Sequence, residues 1–117
     1  MIDGIVRRLP VKGKDGSIDL IEIEGIFYLE AKGHDTLIRT RRKKPYLSVQ
    51  RIQELARKLP APAFVRCHRE YIVNLNRVRS LTPRKSKDFD LRLDPPVNRR
   101  IPIARGRLKN IRSILGV

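Results

Sequence analysis

Phe89, Leu91 and Leu93 alternate with Asp90, Arg92 and Asp94, the two-residue period of a strand with one buried and one wet face. Short apolar runs of this kind, cut by turn residues, recur along most of the chain and restrict it to a meander of short strands. Ile5 to Val11 reads as the first strand, and Lys12-Gly13-Lys14-Asp15-Gly16 as the turn after it. Ile18, Leu20, Ile21 and Ile23 lead to Gly25, and the β-branched and aromatic run Ile26-Phe27-Tyr28-Leu29 forms the next strand. The turn Lys32-Gly33-His34-Asp35 closes that hairpin. Thr36 to Thr40 is a short strand, and Arg41-Arg42-Lys43-Lys44-Pro45 a basic turn before Tyr46-Leu47.

Helical spacing is confined to two places. Val49, Ile52, Leu55, Ala56 and Leu59 share a face, with Ser48 as N-cap and Pro60 as the stop. Leu108, Ile111, Ile114 and Leu115 do the same near the C-terminus. Between them, Phe64 to Asn74 and Val78 to Thr82 read as strands, Pro83 to Lys87 as a turn, and Asp94 to Asn98 as the turn into Ile101-Pro102-Ile103. The expectation is a mainly β fold with one central and one terminal helix, in a single domain over residues 1–117.

Charge narrows the function. Lysine and arginine number 27 against 12 acidic residues, a net charge of +15, far beyond what solubility requires, so the expected partner is a polyanion. No apolar run approaches the roughly 18 residues of a spanning helix, and Met1 to Pro10 has no signal-peptide pattern, so the expected compartment is the cytoplasm. One cysteine, Cys67, and two histidines, His34 and His68, make neither an internal disulfide nor a zinc set. No nucleophile, base and orienting acid cluster together, so no enzyme, catalytic residue, metal or cofactor is expected.

The basic residues fall into groups between strands: Arg39 to Lys44, Arg66 with Arg69, Arg84 to Lys87, Arg99 with Arg100, and Arg105, Arg107, Lys109 and Arg112. Loops with such charge neutralise phosphates and release counterions. With three phenylalanines, three tyrosines and no tryptophan, mostly at apolar strand positions, a base-stacking platform for single strands or RNA is poorly supported, and double-stranded DNA fits better. A basic module for an acidic protein or membrane surface is the alternative that needs only the charge.

The segment Phe64-Val65-Arg66-Cys67-His68-Arg69-Glu70-Tyr71-Ile72-Val73-Asn74-Leu75-Asn76-Arg77-Val78 closely resembles the LytTR DNA-binding domain family. That family carries a phenylalanine, a strand arginine, a His-Arg-Ser-Tyr-like loop and an Ile-Val-Asn strand in this order. Glu22 to Ala31 resembles its strand pair leading to a short recognition loop, the Ser48 to Leu59 helix falls where its helix does, and Ile101-Pro102-Ile103-Ala104-Arg105 resembles its closing Ile-Pro-Val-Ser-Arg.

The resemblance implies an elongated fold of about ten short, mostly antiparallel strands, whose loops enter successive major grooves of promoter repeats. It implies a bacterial-type transcription regulator or its output domain, served by a separate sensor or receiver module, with a homodimer on DNA allowed. Carried over by position, the first reading loop is Gly33-His34-Asp35, and His34 can donate or accept there. The second is His68-Arg69-Glu70 beside Arg66, with Arg69 forked toward guanine O6 and N7. The third is the start of the last helix, with Arg105, Arg107 and Lys109, where free amides receive a phosphate. His68 and Asn74 are expected to support backbone rather than touch DNA.

Two positions depart from the pattern. Glu70 replaces the usual serine, and either pairs with Arg69 or accepts from cytosine N4. Ala104 replaces a serine that would cap the last helix. Cys67, among Arg66, His68 and Arg69, has a setting that could make a thiol reactive, but its strand neighbours Val65 and Tyr71 favour an inert buried side chain.

Overall fold

The computed structural model describes residues 7–117; Ile5 and Val6 of the expected first strand lie outside them. Among the described residues are ten strands and two α-helices. The strands are β1 Arg8–Lys12, β2 Ile18–Glu22, β3 Tyr28–Lys32, β4 Asp35–Arg39, β5 Tyr46–Ser48, β6 Phe64–His68, β7 Tyr71–Asn74, β8 Val78–Pro83, β9 Phe89–Leu93 and β10 Arg100–Pro102. The helices are α1 Ile52–Ala56 and α2 Arg105–Leu115. No helix among the described residues is long and apolar enough to cross a membrane.

All strand pairs are antiparallel, as a meander with short connections requires. The central sheet has the order β5-β4-β3-β7-β6, and β1-β2 and β10-β9-β8 form two smaller sheets. Alternation along the central strands supplies two cores. Leu29, Ile38 and Ile72 pack with Leu9, Val11 and Ile21 of the β1–β2 hairpin and Ile52 and Leu55 of α1. Tyr28, Cys67, Tyr71 and Val73 pack with Leu91, Leu93 and Ile101 of the three-stranded sheet and Ile111 of α2.

Four sequence expectations are corrected. Phe64 to Asn74 is two strands joined by a turn, not one strand. The central helix is shorter than Ser48 to Leu59, because Ser48 is spent in β pairing opposite Thr36 and the Val49 N–H donates to the Lys12 carbonyl. Its C-terminal end tightens into i→i+3 bonds from Lys58 and Leu59 before Pro60. Asp90 is buried rather than wet, since Arg84 Nε lies 3.1 Å and Arg100 Nε 3.3 Å from its carboxylate. Ile114 is exposed, while Leu108 and Leu115 pack beside the buried Ile111.

Candidate nucleic-acid interface

Strand register decides which loops share an end. Glu30 of β3 faces Tyr71 of β7, so the Gly33-His34 turn after β3 and the Arg69-Glu70 turn before β7 emerge together. The Ala31 N–H donates to the Glu70 carbonyl at 2.9 Å and ties one to the other. Gly33 takes a φ of 61°, a left-handed value that glycine adopts without a Cβ penalty, and it leaves His34 exposed at the tip. Asp35 Oδ2 is 2.9 Å from Lys14 Nζ, which brings the β1–β2 turn to the same end.

The β6–β7 turn contains no glycine or proline and is shaped by side chains instead. His68 Nδ1 accepts from the Glu70 N–H at 3.1 Å. Arg66 Nε donates to the His68 carbonyl at 3.2 Å and its Nη2 to the Arg69 carbonyl. A register shift between Arg66 and His68 accompanies this, as expected where a bulge re-aims side chains. Arg66 therefore braces the turn, and the Arg69 side chain stands exposed at its tip. Arg69 and Glu70 form no ion pair among the described residues.

The same strand seats the last helix. The Ala104 N–H donates to the Cys67 carbonyl at 2.9 Å, and Arg107 Nη1 to the Arg66 carbonyl at 3.0 Å. Ala104 is the N-cap and supplies no side-chain bond, so amides of the first turn are left for another acceptor. Burial, and then the nearby Arg107, hold Arg66 below the usual arginine pKa; an arriving anion would relieve that like-charge crowding. Arg105 Nε is 2.7 Å from Asp88 Oδ1, and this bond lifts the arginine pKa and lowers that of the carboxylate. It also places the β8–β9 turn, with Lys85 and Lys87, beside the helix start. Lys109 is exposed one turn further on.

Not every basic group joins this end. The loop from Arg41 to Lys44 follows β4 at Arg39, which faces Tyr28, the far end of β3. Arg99 turns inward: its Nη1 donates to the Tyr28 hydroxyl at 2.6 Å and to Glu30 Oε1 at 3.1 Å, and its Nη2 to the Tyr71 hydroxyl at 2.9 Å. Burial pulls the Arg99 pKa down, but the bonds to Tyr28 and Glu30 outweigh it and the net shift is upward. Asn74 likewise supports backbone, its Nδ2 donating to the Ile26 carbonyl and its Oδ1 accepting from the Asn76 N–H. Lys14, Asp88 and Arg99 had no local signal for these roles, because their partners lie at least 17 residues away or on another strand pair.

Cys67 is fully buried, and burial pushes its thiol up to about 12. The thiolate is the reactive form. A chromogenic disulfide reagent at neutral pH is therefore expected to leave folded protein unlabelled and to react once urea unfolds it. Rapid labelling of the folded chain would contradict this.

The chain matches the LytTr DNA-binding domain family over residues 16–116. It is 35% identical over 102 residues to the transcriptional regulatory protein YpdB of Escherichia coli (strain K12), covering 87% of this chain and 41% of that protein. To the CO-responsive transcriptional regulator RcoM of Rhodospirillum rubrum it is 31% identical, covering 97% of this chain and 47% of that one. The chain thus spans less than half the length of these relatives. A solved LytTr DNA-binding domain of a methyl-accepting/DNA response regulator from Bacillus cereus superposes with a TM-score of 0.78 at 27% identity, covering 97% of this chain and all of that one.

Proposed function

The chain belongs to the LytTr DNA-binding domain family, a DNA-binding module of transcription regulators, and from that membership we propose that it reads double-stranded DNA by sequence through the loops at one end of its central sheet. The observation that carries the reading is adjacency. The Gly33-His34 turn, the Arg69-Glu70 turn and the start of α2 are knit in a row by the Ala31–Glu70 and Ala104–Cys67 backbone bonds. A row of loops can follow a duplex and enter successive major grooves, where base edges carry a distinguishing pattern of donors and acceptors.

Within that reading the residues divide by role. Arg69 offers a forked donor pair to guanine, and His34 a single donor or acceptor from the neighbouring turn. Arg107 and Lys109 contact the duplex from the helix start, while Asp88 holds Arg105 in a fixed direction for its own contact. Glu70 accepts from cytosine N4 or sets the turn beside Arg69, and Asp35 orients the first turn through Lys14. Arg66 acts from behind, through the carbonyls it holds. Paired promoter repeats, a homodimer on DNA and control by a sensor or receiver module belong to the same proposal, as does a cytoplasmic setting without catalysis.

Competition binding tests it. Fluorescent duplex of the preferred sequence, scrambled duplex and matched RNA are titrated across salt, with wild type and Lys85→Ala in parallel. Lys85 lies in the basic β8–β9 turn and serves phosphates. Its loss is expected to weaken preferred and scrambled duplex about equally and to reduce the salt slope by about 1. A selective loss on the preferred duplex would assign Lys85 to base reading, and equal affinity of the wild type for all three nucleic acids would remove the proposal.

A further inference from the structure

Opposite the DNA-reading end, the β4–β5 loop and the β1–β2 hairpin enclose a groove of about 320 Å³ whose lining includes Leu20, Ile21, Glu22, Arg41, Arg42 and Tyr46. One wall is apolar. Leu20 is 57% exposed and faces Pro10 across the hairpin, on the side turned away from the core. The other wall is basic: Arg41 and Arg42 line it, and Lys43 and Lys44 continue the same exposed loop. Arg41, Arg42, Lys43 and Lys44 enter no ion pair among the described residues.

The loop is held in shape without a partner. Arg42 Nε donates to the Lys44 carbonyl at 2.9 Å, its guanidinium lies 3.8 Å from the Tyr46 ring centroid, and its N–H donates to Thr40 Oγ1 at 3.2 Å. Arg77 reaches the same pole, donating to the Glu24 carbonyl at 3.0 and 2.6 Å. A surface fixed in advance loses less entropy when something binds it.

We propose that this groove docks an acidic protein segment through an apolar side chain seated against Leu20, with its carboxylates paired to Arg41, Lys43 and Lys44. The inference rests on the reading that DNA occupies the opposite end. On the lining, Arg41 and Arg42 stand against Glu22, and Lys43 and Lys44, which follow them in the same exposed loop, add to the charge complementarity. An exposed leucine wall serves an apolar side chain and has no use against a phosphate backbone, which favours a protein segment over a second duplex. A regulator carrying such a groove would hold DNA at one pole and an acidic partner at the other.

The probe is a short fluorescein-labelled peptide of glutamate and aspartate around a central leucine-phenylalanine pair, titrated against the full chain saturated with its preferred duplex. Binding is expected to persist on the DNA-bound protein. It should fall about tenfold in K43E/K44E and about fivefold in L20S, with duplex affinity of both variants within about twofold of wild type. Displacement of the peptide by duplex would overturn the proposal, as would equal binding of a peptide with serines in place of the apolar pair. Phosphatidylserine vesicles that bind with the same variant dependence would make the groove a membrane contact. Loss of duplex affinity in K43E/K44E would make the loop part of the DNA footprint. If Arg69→Ala leaves DNA preference intact, the DNA reading fails on its own, whatever the peptide does.

Discussion

Arg69→Ala is expected to weaken binding to the preferred duplex by about 1–3 kcal/mol and to flatten its preference over scrambled DNA. The bonds that form the β6–β7 turn run through Arg66, His68 and main-chain atoms. Truncating Arg69 removes a guanidinium from the tip and leaves that scaffold standing. The change therefore reports on contact with DNA and not on the turn's shape, and unfolding curves should not move by more than about 0.5 kcal/mol. Arg66→Ala makes the contrast: it unties two carbonyls and disturbs the turn itself. Titration of both duplexes at one fixed salt checks the result, since a purely electrostatic loss would weaken the two equally. Equal losses would move the reading loop elsewhere.

The largest effect on stability is expected from Phe27→Ala, at about 3–5 kcal/mol. Phe27 is fully buried, and its main chain is locked on both sides, donating to the Arg39 carbonyl at 2.8 Å and accepting from the Asn74 N–H at 3.0 Å. The surroundings cannot collapse easily into the space that the ring leaves. Arg41 and Arg77 also lie over the ring, 5.8 and 5.4 Å from its centroid, and would lose a cation–π contact. A domain stable by only about 5–15 kcal/mol would be brought close to its limit. Urea unfolding at 25 °C measures the change. The fraction that remains folded should still bind DNA, because Phe27 lies at the end of the sheet away from the His34 and Arg69 turns. A loss below about 1 kcal/mol would contradict the packing described for this ring.

Much of this arrangement was legible in the residues, for reasons that differ from place to place. The alternation at Phe89 to Leu93 and the turn clusters at 12–16 and 83–87 located strands and turns through local chemistry. That chemistry failed at Phe64 to Asn74. No glycine or proline breaks the run, and the turn is made by the His68 ring and the Arg66 guanidinium; only the family resemblance pointed to a loop there. Helical spacing overran at Ser48 because a strand claimed the residue first. Asp90 followed the alternation but not the exposure, since Arg84 and Arg100, from either side of β9, pair with its carboxylate.

The candidate site shows the same limit. Arg39 to Lys44 and Arg84 to Lys87 look alike as basic groups, and nothing within either stretch says which end of the sheet it will occupy. Antiparallel pairing decides that: it sends the first to the pole away from the His34 and Arg69 turns, and the Arg105–Asp88 bond draws the second beside the start of α2. Arg99 looked like one more free surface cation, yet three hydroxyl and carboxylate partners on the central sheet hold its guanidinium against that sheet.

Selection of bound duplexes from a random pool, run with wild type and Arg69→Ala in parallel, tests the central claim most directly. Sequence reading by the turns predicts a short enriched motif with wild type, retained as salt rises, and loss of information at guanine-bearing positions with the variant. No enriched motif, or the same motif at the same strength from both proteins, would contradict it.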